Sequence, residues 1–401
     1  MSDYQAHVSA RDRRPVVAAL GIIQILSWGS SFYLLAVLAT PIAHNTGWPY
    51  PWIMAGVSVG LLVAGLVSPR VGKAIGALGG RPIIALGSVV VAAGLCVIGC
   101  APNLVTYVAG WCVVGVGMGA TLYDAAFSTL GKLYGLGART AITAVTLYGG
   151  FASTVCWPLS AYLVALFGWR GACFAYAAIH IGVSAPLCLI FVPRPAPLPA
   201  GIAAAPPTSA KANLTTDERV ILVILGCALT VSASVLSLMG AHLLTLLQAH
   251  GVALADAVRL GMIVGPSAVG ARFIEMLAGE RYHPIWTMIA SVVLVAIGSL
   301  LFFVGEALFG IAIAIYAAGN GIGSIAKGTV PLALFGAARY PALMGQLALP
   351  ILLAMAIAPF AGAVAFTWLG AAGTLAILAA LASGNLVLVV ALFAMTRPRR
   401  R

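Results

Sequence analysis

Four charged side chains stand inside long apolar runs, and their types point to the chemistry open to this protein. Of nine acidic residues only Asp124 and Glu275 lie well inside such a run, and of twenty-one basic ones only Arg272 and Lys327. A charge at the centre of a bilayer costs about 2.5–3.5 kcal/mol on insertion scales, so few are kept without a use. Arg272 offers a permanent charge and a planar fork suited to a carboxylate or other oxyanion. Glu275 follows at i+3 on the same helical face, where it either neutralises Arg272 or positions a solute and carries a proton. Lys327 reads as a side chain reaching for the interface, as a second cation for an anion, or as a partner of Asp124. Asp124 beside a cation can exchange a proton as its surroundings open and close.

Neutral polar residues extend the set. Gln24, Trp28, Ser31 and Tyr33 share the first run, Tyr123 precedes Asp124, and Tyr148, Asn320 and Gln346 fall in the fifth, tenth and eleventh runs. Polar groups facing lipid are costly, so these face helices or a cavity, and helix packing is as good a reading for each as ligand contact. The candidate solute contacts are Arg272, Lys327, Tyr123, Asn320, Gln24, Trp28, Tyr148 and Gln346; the candidate proton-coupling groups are Asp124, Glu275 and His242. His180 reads as structural. Cys96 and Cys100, at i and i+4, read as packing rather than as soft-metal ligands. No nucleotide-binding loop, zinc spacing or nucleophile motif occurs, so an enzyme, an ATP-driven pump, a metal site and a cofactor are not expected.

The elements that must position these groups follow from composition. Apolar residues make up 62% of the 401 and charged residues only 7%, whereas a soluble domain carries about 25% charge. Apolar runs fall at 15–41, 50–69, 81–101, 103–131, 139–167, 170–192, 218–247, 259–279, 284–304, 307–331, 342–368 and 371–396. Each suits one helix across a bilayer of roughly 30 Å. The expectation is an all-α membrane protein of twelve transmembrane helices, the first a permanent span rather than a cleaved leader. A proline-rich linker at 193–217 separates residues 1–192 from 218–401 and ends in Thr215-Thr216-Asp217-Glu218, a capping-box pattern opening the seventh helix.

Placing both termini in the cytoplasm puts seventeen of the twenty-one Lys and Arg on that side and only Arg170 and Arg259 outside. That is a strong positive-inside bias, so an inner-membrane, multi-pass location is expected. The net charge of +12 is scattered at helix ends, with Arg397, Arg399, Arg400 and Arg401 as a tail anchor, and does not indicate nucleic acid. The seven cysteines lie within apolar runs, where no disulfide framework forms.

Gly137-Ala138-Arg139 is answered by Ala337-Ala338-Arg339 after 200 residues, and Pro158 by Pro359, a weak repeat at half the chain length. The loop Gly72-Lys73-Ala74-Ile75-Gly76-Ala77-Leu78-Gly79-Gly80-Arg81, the Gly168-Trp169-Arg170 step with Phe174, the glycines Gly115, Gly117 and Gly119, and Gly149, Gly150 with Pro158 resemble the major facilitator superfamily. Gly76, Ala77 and Trp111 depart from its pattern, at positions where an acid, a base and an arginine are usual. The resemblance implies two pseudo-symmetric six-helix halves, with the first, second, fourth and fifth helices of each lining a central cavity. All four intramembrane charges would then lie on cavity helices. An arginine in the eighth helix also resembles the monocarboxylate and oxalate–formate branch.

These readings lead to a secondary active transporter that moves a small anionic solute by alternating access, coupled to protons, as a monomer in the lipid bilayer. The alternatives are an efflux pump for hydrophobic or cationic compounds, a metalloid exporter using Cys112 or Cys156, and a non-transporting membrane sensor.

Overall fold

A computed structural model describes residues 10–194, 214–278 and 281–396. The proline-rich part of the linker, with Lys211, and the tail arginines Arg397, Arg399, Arg400 and Arg401 lie outside the described residues. Among the described residues, each of the twelve apolar runs is mostly helical. They form α1 (Ala10–Gly29), α2 (Leu35–Thr46), α3 (Tyr50–Leu78), α4 (Gly80–Cys100), α5 (Leu104–Thr121), α6 (Tyr123–Tyr134), α7 (Arg139–Gly150), α8 (Ala152–Ile179) and α9 (Ala185–Phe191). After the linker come α10 (Thr216–Ala249), α11 (Leu254–Gly261), α12 (Val264–Ala278), α13 (Pro284–Leu301), α14 (Phe309–Phe335) and α15 (Tyr340–Thr396). Short 3-10 turns at Gly135–Ala138 and Glu306–Leu308 and a π-turn at His180–Ser184 complete the described elements.

Eight helical stretches among the described residues are long and apolar enough to cross a membrane, and two of them exceed one crossing. At about 1.5 Å per residue, the 57 residues of α15 would far outrun a hydrocarbon core. The chain resolves this with glycine: α8 turns at Gly168 (φ 67°, ψ 177°) and α15 at Gly370 (φ 68°, ψ −170°). That conformation is essentially closed to residues with a Cβ. Beyond the first turn, Arg170 Nη1 donates to Gly99 O and Ala101 O at 2.9 Å each, satisfying carbonyls at the end of α4. The expected capping box is formed, Thr215 and Glu218 exchanging side-chain and backbone hydrogen bonds at the start of α10.

Residues Met1–Ala212 with Phe335–Leu349 bound one compact unit, and Asn213–Leu334 with Pro350–Arg401 bound a second. In the first, α5 is the central packing element, and its glycines alternate between neighbours. A Cβ on Gly115 or Gly119 would run into α3, and one on Gly110 or Gly117 into α4. Gly56 and Gly60 of α3 make room for the fully buried Trp111 ring, the close helix approach that small residues allow in membranes. The second unit has its own apolar core, in which Val235, Met239, Phe309, Ile313 and Leu378 are fully buried. There Gly319 and Gly321 of α14 lie against the backbones of α13 and α12.

Candidate functional site

In the first unit the candidate residues gather where the fourth run is interrupted. α5 ends at Thr121, Leu122 is extended (φ −74°, ψ −175°), and α6 begins at Tyr123 with Asp124 in its first turn. An interruption frees backbone groups that must find partners where water is absent. Gln24 of α1 supplies one: its Nε2 donates to Thr121 O at 2.7 Å, and the side chain is fully buried. One turn on, the Trp28 ring lies 5.3 Å from Tyr123, which stacks on Phe127 at 5.2 Å. Asp124 is buried, and its first-turn position lets its charge meet the positive end of α6. Ser68, Gly72 and Ile75 of α3, with Ser128 and Gly345, line a narrow crevice beside it. Tyr148 is half out of the protein surface with its ring over Gly21, and Gln346 is exposed. The unit therefore brings together Gln24, Trp28, Tyr123 and Asp124.

In the second unit the arginine and the acid go separate ways. Arg272 is half-buried on α12, and its Nε donates to Gly321 O at 3.0 Å and to Ser324 Oγ at 3.1 Å on α14. Its two terminal amines have no hydrogen-bond partner among the described residues. Glu275, three residues on, is buried and accepts from Thr287 Oγ1 at 2.8 Å and from the Tyr282 hydroxyl. The i, i+3 spacing allows an ion pair, but Arg272 turns towards α14 while Glu275 turns towards the α12–α13 connection and the start of α13.

Asn320 and Lys327 are half-buried on α14, which places Tyr316, Asn320, Ser324 and Lys327 along one helical face. His242 Nε2 bonds Pro359 O at 2.8 Å, tying α10 to α15. Pro359 has no N–H for Met355 O, and Ser237 Oγ donates to that carbonyl instead at 2.8 Å.

His180 is fully buried, as a structural residue would be, and Ser30 bonds its Nε2 at 2.7 Å beside the α1–α2 break. Sequence reasoning missed this pair, the Thr121 carbonyl, Ser324, Thr287 and Tyr282. Only the Pro359–Ser237 contact had a readable signal, since a proline inside a helix must orphan a carbonyl. Cys156 packs against Gly29 and donates to Ile25 O at 3.5 Å, and all seven cysteines are free thiols. Among the described residues no three His, Cys, Asp or Glu side chains gather as a metal site.

The human organic anion transporter MFSD10 (TETRAN) superposes with a TM-score of 0.73 at 17% identity, covering 94% of this chain and 99% of that one. The major facilitator superfamily transporter FucP, in the outward conformation, gives 0.70 at 14% identity over 94% and 98%. A variant of the E. coli fucose:proton symporter FucP gives 0.67 at 14% identity over the same shares. The chain has the major facilitator fold. No protein-family model and no curated protein matches it by sequence. The likeness is one of fold, at 14–17% identity, and this architecture positions both polar clusters described above.

Proposed function

We propose that the protein is a secondary active transporter of the major facilitator superfamily that moves a small anionic solute by alternating access, coupled to protons. The observation that carries the proposal is Arg272. Its Nε is fixed by Gly321 O and Ser324 Oγ while its terminal amines have no partner among the described residues. A guanidinium held in this way is already oriented, so little freedom is lost when two parallel N–H bonds grip an oxyanion. Similarity in fold to a human organic anion transporter supports the solute class, and similarity to a fucose:proton symporter supports coupling. Asp124 is the proton carrier in this reading, as a buried carboxylate at an interrupted helix. Glu275 serves to anchor the α12–α13 turn. Two six-helix halves at 1–192 and 218–401, twelve crossings, and cytoplasmic termini in the inner membrane complete the proposal, supported by the charge bias of the sequence.

The test is counterflow of small organic anions by purified protein in proteoliposomes. Arg272→Lys keeps the charge but loses the fork, and it should lower anion counterflow at least about 30-fold with the melting temperature preserved. Unchanged transport by that variant would remove Arg272 from the mechanism.

A further inference from the structure

Buried polar atoms on Gln24 and Trp28 of α1 have no partner among the described residues. Gln24 Nε2 faces a carbonyl, which fixes the amide orientation and leaves Oε1 as a buried acceptor with no partner among the described residues. One turn on, the Trp28 Nε1 donor is also buried and has no partner there. An unmet buried donor or acceptor is costly, and here one of each stands at i and i+4 on one helix face. Both residues look towards the break at Leu122, and interrupted backbone inside a span is kept where it is buried in protein or lines a cavity. A row of rings leads there. Trp157 and Tyr33 are 6.0 Å apart, Tyr33 and Trp28 6.4 Å, and Trp28 and Tyr123 5.3 Å. Trp157 borders an open, mostly apolar groove that Val37, Thr154 and Pro158 also line.

We infer that the first unit carries a subsite for a solute hydroxyl, which accepts from Trp28 Nε1 and donates to Gln24 Oε1 while its carbon face lies on the Trp28 and Tyr123 rings. A carboxylate has no proton for Gln24 Oε1, and an ammonium cannot accept from Trp28; a hydroxyl does both. The inference rests on the small-anion reading and narrows it to hydroxylated organic anions.

Equilibrium binding to the purified full-length chain tests it with matched pairs, glycerate against propionate and gluconate against hexanoate, and with the neutral polyol erythritol. The hydroxylated member of each pair should bind about 10-fold tighter or more. Trp28→Phe keeps a ring but removes the donor, and it should bring each ratio close to one. Equal binding of both members by the unmodified protein, as an ordered water held by the pair would produce, overturns the subsite; so does a ratio that survives Trp28→Phe. Erythritol separates the two readings. If it binds and Trp28→Phe weakens it while no carboxylate binds, the subsite stands and the anion reading fails. If neither erythritol nor any carboxylate binds, the subsite fails as well.

Discussion

The fourth and tenth apolar runs stand 200 residues apart and treat the same backbone position in different ways. In the first unit the helix breaks at Leu122, and Thr121 O is taken by the neutral amide of Gln24. In the second, α14 runs unbroken through the corresponding stretch, and Gly321 O is taken by the guanidinium of Arg272. One carbonyl in each unit is thus reached by a polar side chain from a neighbouring helix, once without charge and once with it. The first unit gains polarity from interrupted backbone and keeps an acid, Asp124, beside the break. The second keeps its backbone intact and imports a cation.

Making the second unit resemble the first is the strongest way to break the comparison. Arg272→Gln replaces guanidinium by amide at Gly321 O, and anion counterflow should fall below detection, since charge and fork are both lost. Retained counterflow would mean that the charge difference between the units is incidental. Asp124→Asn is the complementary change: uptake driven by a pH gradient should disappear, while counterflow at equal pH persists. Loss of both would make Asp124 a structural group. Glu275→Gln probes the acid assigned to anchoring. With two hydroxyls donating to a buried carboxylate, it should cost about 1.5–3 kcal/mol of stability, seen as a lower melting temperature with counterflow retained once folded. The smallest effect sharpens the repeat itself. Gly168→Ala and Gly370→Ala, at φ of 67° and 68°, should each cost about 1–3 kcal/mol and by similar amounts; a clear inequality would show that the two turns are not equivalent.

Much of the fold was legible in sequence because its causes are local. Run length forces the turns at Gly168 and Gly370, and Thr215 with Glu218 dictates how α10 starts. The site was legible only in part. Residue type picked out Arg272, Asp124, Gln24 and Trp28, but spacing suggested an Arg272–Glu275 pair that the structure dissolves. Helical spacing says which side chains can share a face; it does not say which neighbour offers the better partner. Arg272 found a carbonyl and a hydroxyl on α14, and Glu275 found two hydroxyls around the next turn.

The sequence by itself determined that the chain is helical, that it belongs in a bilayer, and which few side chains carry charge there, because hydropathy and run length act over single helices. Tertiary structure alone decided the break at Leu122, the capture of Thr121 O by Gln24, and the open fork of Arg272. The last two depend on residues about 50 to 100 positions apart meeting in a medium without water. There a polar atom takes the partner that packing brings to it.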